Sequence, residues 1–110
     1  MSAASRPTLR VTTGATGPTT VVQLAGDLDL ATAGQLRGHL RELLDAGQVQ
    51  RLVLDMAGLE FMDVTGLNVL VDAQRVVSDY GGQLALRSPR PMVLRMLKLL
   101  ALDEVVPVEH

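Results

Sequence analysis

Residues Arg51 to Met56 read Arg-Leu-Val-Leu-Asp-Met, an apolar run without alternation of apolar and polar positions. A strand with one wet face alternates with a period of two. A strand that does not alternate reads as covered on both faces, the pattern of a sheet centre. That requirement narrows the fold sharply, because parallel neighbours must be joined by crossovers, which are usually helical.

The surrounding sequence supplies such crossovers. After a short connection, Asp55 to Met62, Asp63 is placed to accept backbone N–H bonds as a helix N-cap. Leu67, Leu70, Val71 and Val77 follow at helical spacing, Val69, Ala73, Val76 and Tyr80 extend a second side, and Gly81-Gly82 is the stop. Earlier in the chain, Ala31 or Thr32 opens a helix with Leu36, Leu40, Leu43 and Leu44 on one face, ended by Gly47. Asp29 and Thr32 lie at its start, where an acidic or hydroxyl cap is favourable.

Before these units, Leu9, Val11 and Thr13 alternate with Thr8, Arg10 and Thr12 as a half-buried strand. Gly14-Ala15-Thr16-Gly17-Pro18 reads as a turn longer than two residues, and Thr19 to Gly26 as the returning strand of a hairpin, with Gly26-Asp27-Leu28-Asp29-Leu30 at its end. After Gly82, Gln83 to Arg87 is a fourth strand and Ser88-Pro89-Arg90-Pro91 a turn into a last helix, Met92 to Leu100 or Ala101. Val93, Leu94, Leu97 and Leu100 form one face of it. Met92, Met96 and Leu99 make a second stripe beside Arg95 and Lys98, either core or a surface for a partner or for weak self-association. Val105-Val106 offers a short terminal strand. The expected architecture is α/β, ββαβαβα with a terminal β: a mixed four- to five-stranded sheet with an N-terminal hairpin and helices after strands. Residues 1–7 are expected to form a flexible arm and residues 8–110 a single domain.

Composition removes several function classes. The chain has no cysteine, hence no thiolate nucleophile and no Cys-ligated metal. His39 and His110 are far apart and lack metal-ligand spacing. Phe61 and Tyr80 are the only aromatic residues and the net charge is −2, which argues against single-stranded nucleic acid as a partner. No apolar stretch approaches the ~20 residues of a membrane span, and the first residues lack the apolar core of a signal peptide, so a cytoplasmic protein without membrane insertion is expected. Phosphate-loop, dinucleotide-loop and Gly-x-Ser-x-Gly patterns are missing. Asp27, Asp29, Asp55 and Asp63 are explained by strand ends and helix starts, and Asp72 by a solvated helix face. No enzymatic activity and no cofactor are expected.

Helices that follow parallel strands open at the carboxyl ends of those strands, so Asp29 and Asp63 are expected on one rim, where open α/β sheets place their sites. Thr65 falls in the first turn of the central helix, where unpaired N–H groups and the positive end of the helix dipole favour an added phosphate.

The succession Gly26-Asp27-Leu28-Asp29, Leu52-Val53-Leu54-Asp55 and Phe61-Met62-Asp63-Val64-Thr65-Gly66-Leu67 closely resembles the STAS domain family, and within it the small anti-sigma factor antagonists of bacteria. The resemblance runs from about Leu9 to Val108. It implies the STAS fold and a mechanism of partner switching. The unphosphorylated antagonist binds an anti-sigma factor that is also a serine/threonine kinase, and a sigma factor is released to act in transcription. The kinase then phosphorylates the start of the central helix, the complex separates, and a phosphatase resets the cycle. The candidate partner-binding positions are Asp29, Asp63, Val64, Thr65, Gly66, Leu67 and Asn68, with capping alone as the other role open to Asp29.

At one position the sequence departs from the family. The usual motif reads Asp-Ser-Ser/Thr-Gly-Leu-Gly, with the serine after the aspartate as phosphoacceptor, and here that slot is Val64. Thr65 matches the second hydroxyl and Asn68 replaces a glycine. Three readings stand: Thr65 is a displaced acceptor, the protein binds its partner without phosphoregulation, or Val64 is a buried contact in a STAS domain serving something other than a kinase. The alternatives in the last class are a regulatory subunit of another machine, such as a lipid-transport ATPase, and a small-molecule or nucleotide-responsive domain.

Overall fold

The computed structural model describes residues 8–47 and 49–109; the N-terminal arm expected over residues 1–7, and His110, lie outside them. The elements run β1 (Leu9–Thr16), β2 (Thr19–Leu28), α1 (Ala33–Asp45), β3 (Arg51–Met62), α2 (Val64–Asp79), β4 (Gln83–Arg87), α3 (Pro91–Leu99), a 3-10 turn (Leu102–Glu104) and β5 (Val108–Glu109). They form one five-stranded sheet in the order β1-β2-β3-β4-β5. β1 is antiparallel to β2, and every other neighbouring pair is parallel. β3 is the central strand, as its apolar run requires.

The hairpin loop is shorter than the sequence suggested. Thr16 pairs with Thr19, which leaves Gly17-Pro18 as a two-residue loop. Gly17 adopts φ +58, the left-handed conformation that a tight hairpin needs at its first loop position. Gly14 and Ala15 stay in the strand because β1 is an exposed edge where small residues cost little.

β3 is also longer than its apolar run. The stretch expected to be a connection, Asp55 to Met62, continues as strand and pairs with β2 as far as Leu28↔Met62. Two register shifts make this possible, one between Gln23 and Ala25 and one between Gly26 and Asp27, each with one extra residue on β3. A bulge flips the parity of a strand. The core-facing residues are accordingly Leu52, Leu54 and Met56, then Leu59, then Met62. A Cβ on Gly58 would lie 2.9 Å from the Leu24 carbonyl oxygen and 3.1 Å from the Ala25 Cβ, so the close strand approach there depends on glycine.

All three helices send side chains into one aliphatic cluster with the core-facing residues of the sheet. Leu36, Leu40 and Leu44 come from α1, Leu67, Leu70 and Val77 from α2, and Val93 and Leu97 from α3. Helices therefore cover only one face of β3. Val53 and Ala85, paired in register, are buried outside that cluster. On the same parity stand Arg51 and Arg87, and both form ion pairs with Glu109, the Arg51 contact passing over β4 from β3 to β5. Long polar side chains replace a second helical layer there.

Four smaller readings, three on helices and one on the terminal strand, need correction. Leu43 is only partly buried. Val71, Val76 and Tyr80 of α2 are exposed, so the helix buries one stripe rather than most of its circumference. Leu100 is the C-cap of α3 and is exposed, Leu94 is half-buried, and the Met92 side of the second stripe is solvent-facing while Met96 packs against the core. The terminal strand is Val108–Glu109, not Val105-Val106. Ala101 turns into the left-handed region at φ 55, the 3-10 turn follows, and Val106 plugs the core before the chain reaches the β4 edge.

Candidate functional site

The rim at the carboxyl ends of β2 and β3 is built by the parallel register. Leu28 pairs with Met62, so the next residues of each strand, Asp29 and Asp63, leave the sheet side by side. Asp63 is the N-cap of α2: its carboxylate accepts the Gly66 N–H at 2.9 Å, and its own N–H donates to the Leu28 carbonyl at 3.3 Å. Asp29 organises the turn into α1. One carboxylate oxygen accepts the N–H groups of Ala31 at 3.0 Å and Thr32 at 3.2 Å, while the Asp29 N–H donates to the Thr32 hydroxyl at 3.0 Å. Thr32 is buried, and its hydroxyl donates to the Asp27 carbonyl at 2.8 Å. These bonds stiffen both turns before any partner arrives.

Gly66 sets how closely α2 approaches the sheet. A Cβ there would stand 2.8 Å from Met62 Cγ and 2.9 Å from Leu28 Cγ, and closer still to the Leu28 carbonyl oxygen. Gly66 is buried and Leu67 is in the core, so these two, expected among the partner-binding residues, have no side-chain surface to offer. Their role is to seat the helix. The residues that do face outward are Val64, 65% exposed, Asn68, which is exposed, and Thr65, which is half-buried. Val64, Asn68 and the exposed Val71 fall at i, i+4 and i+7 and make one stripe, while Thr65 is turned about 100 degrees from Val64. The Thr65 hydroxyl makes no hydrogen bond among the described residues.

Two further residues of the rim were not singled out in the sequence. Leu30, 78% exposed, projects from the β2–α1 turn, and Phe61, 43% exposed, sits at the end of β3 opposite Asp27. A lone phenylalanine beside the core-facing Met62 was the available signal, but it becomes legible only once β3 is known to reach residue 62. Leu30, Phe61 and Val64 leave exposed apolar area at the same end of the sheet as Asp29 and Asp63. The segments that form this rim, residues 27–32 and 57–68, contain Asp27, Asp29, Glu60 and Asp63 and no Lys or Arg. Arg90, from the turn before α3, reaches this region and donates to the Ala57 carbonyl at 2.8 Å, so the rim combines exposed apolar area with carboxylates and one bordering cation, a surface suited to docking a macromolecule. Among the described residues, no group of three or more His, Cys, Asp or Glu side chains could hold a metal ion, and no helix is long and apolar enough to cross a membrane.

The STAS domain model matches residues 6–110 of the chain. The chain is 31% identical over 88 residues to an anti-sigma F factor antagonist of Paenibacillus polymyxa, a match covering 80% of this chain and 75% of the relative. To an anti-sigma-B factor antagonist of Bacillus subtilis (strain 168) it is 30% identical over 87 residues, covering 79% and 78%. Among solved structures, an anti-sigma factor antagonist from Mycobacterium paratuberculosis superimposes with a TM-score of 0.83 at 22% identity over 92% of this chain and 85% of that one, a likeness of fold.

Proposed function

The chain belongs to the STAS domain family, and from that premise we propose that it is an anti-sigma factor antagonist whose docking surface is the rim of Asp29, Asp63, Val64, Thr65 and Asn68. It acts by binding rather than by catalysis, in the cytoplasm, on an anti-sigma factor of the serine/threonine-kinase type, and releases a sigma factor to act in transcription. Support comes from relatives bearing that name and from a rim that is prearranged, apolar and acidic.

The observation that carries the regulatory part of the reading is Val64. It occupies the slot after the capping aspartate where the family motif has its acceptor serine, and it is 65% exposed. Valine accepts no phosphate. A phosphoserine at this place would add about −1.5 to −2 charges at pH 7 beside the carboxylates of Asp63 and Asp29, and repel an interface that a valine instead fills. The antagonist therefore binds its partner without being released by phosphorylation at that slot, and no phosphatase is needed to reset it. A second reading rests on Thr65, whose half-exposed hydroxyl is unbonded among the described residues, but its direction differs by about 100 degrees from the family's acceptor.

Intact-mass measurement and calorimetry with the cognate kinase and ATP test both. Wild type is expected to gain no mass and to hold the kinase in the presence of ATP, whereas Val64→Ser gains one phosphate and is released. A phosphate on wild type that disappears in Thr65→Ala would establish the displaced acceptor instead, and failure to bind any kinase of this class would overturn the function itself.

A further inference from the structure

Away from the rim, α1 and α2 are tied to each other at two points. Arg37 of α1 donates to Asp72 of α2 at 3.1 Å, and the phenol of Tyr80, the C-cap of α2, donates to Asp45 of α1 at 2.8 Å. Beside these ties the helices leave a cavity of about 220 Å³. Leu40 and Leu44 line it from α1, and Val69, Ala73, Val76 and Val77 line it from α2. Ala73 stands one turn from both Val69 and Val77, and its single methyl leaves room that a longer side chain would fill. The charged lining is lopsided: Arg37, Arg41 and Arg75 face the one carboxylate of Asp72. That carboxylate accepts Arg37 on one oxygen and Arg75, at 3.2 Å, on the other. Two exposed guanidinium groups are thus positioned by one acid, with N–H donors to spare.

We propose that the α1–α2 cleft is a binding site for a small aliphatic carboxylate. The hydrocarbon enters between Leu40, Leu44 and Ala73, and the head group accepts N–H bonds from the arginines, whose planar forks match a carboxylate. Volume sets the size of the ligand. A cavity of ~150 Å³ holds benzene, so 220 Å³ takes a short acyl chain, and it is below the ~300 Å³ at which drug-sized sites begin. A ligand so small binds with a dissociation constant on the order of 1 mM. No residue from Val64 to Asn68 lines the cleft, so the site is separate from docking at the rim.

Amide-resolved NMR titration of the isotope-labelled full chain with octanoate, up to about 10 mM, reads the proposal. Octanoate is expected to shift residues 37–44 and 69–77 saturably, while octanol and octylammonium bind at least about tenfold more weakly. Arg37→Gln combined with Arg41→Gln should reduce octanoate to the level of octanol. Arg10→Gln combined with Arg95→Gln, which removes the same charge elsewhere, should change nothing. Ala73→Met, if circular dichroism finds it folded, should weaken binding by filling the cleft; the arginine variants carry the test if it does not fold. No saturable shift in these two segments, octanol binding as well as octanoate, or equal losses from the two arginine pairs would each overturn the proposal. So would shifts of the same segments with protein concentration alone, which would make a second copy the occupant, or a cleft that ignores octanoate and takes an amphipathic helical peptide of Leu and Glu.

Discussion

Gly66→Ala sets two physical effects against each other. On propensity alone, alanine should stabilise the first turn of α2 by up to about 1 kcal/mol, because glycine is the poorer helix former. Packing opposes this. The added methyl would meet Met62 Cγ at 2.8 Å and Leu28 Cγ at 2.9 Å, and would run into the Leu28 carbonyl oxygen. Side chains can rotate away, but the carbonyl belongs to β2 and sits beside the Asp63 N–H bond to the same oxygen. Overpacking of this kind costs about 1–3 kcal/mol, so the net change is expected to be a destabilisation of about 1–2 kcal/mol and a fall of several degrees in Tm. Gly38→Ala is the control. It lies inside α1, with nothing within 4 Å of its added Cβ and no positive φ, so it should stabilise by about 0.5–1 kcal/mol. Urea titration followed by circular dichroism measures both. Opposite signs are required; a Gly66→Ala protein as stable as wild type would refute the claim that α2 is seated by contact with the Leu28 backbone.

Two other outcomes are expected. Asp63→Ala should lose about 1 kcal/mol in the same titration, because the Gly66 N–H is left without its cap, while Asp63→Asn should keep most of that stability. The phenol of Tyr80 donates to Asp45 at 2.8 Å, and that hydrogen bond, reinforced by the carboxylate's charge, raises its pKa above the ordinary 10.0. Whatever stability this bond contributes is therefore present below pH 10.0 and lost as pH rises through the raised value. Tyr80 is the only tyrosine and there is no tryptophan, so absorbance titration of the phenolate reads it directly; Asp45→Asn should move the midpoint down toward 10.0.

Much of the architecture was legible because local chemistry and global fold agree. The run at Leu52 to Leu54 marked the central strand, Asp63 marked the start of α2, and Gly47 and Gly81 marked helix ends, both with φ +81. What escaped reading shares a cause. Strict alternation fails wherever a bulge adds a residue, and β3 has two, so its second half resembled a loop. Phe61 could not be assigned to the rim until that half was known to be strand. The sequence motif also did not show that Gly66 and Leu67 are buried while Val64 and Asn68 are exposed, a distinction that only the packing of α2 on the sheet makes. The terminal strand is two residues long and is fixed by tertiary contacts, Glu109 to Arg51 and Arg87, which carry no local pattern.

The rim also explains why a single substitution at the start of α2 has a double consequence. Fully burying a valine contributes about 1.5–3 kcal/mol, so covering the 65% of Val64 now exposed is worth about 1–2 kcal/mol to a complex, or roughly tenfold in affinity. A serine in the same place would contribute less apolar area and would offer a hydroxyl for phosphate. The atoms that tighten the contact are thus the atoms that remove the switch. On the proposed reading the slot after Asp63 is closed to phosphate, which leaves Thr65, the amount of the antagonist and its partner as the points where control can act.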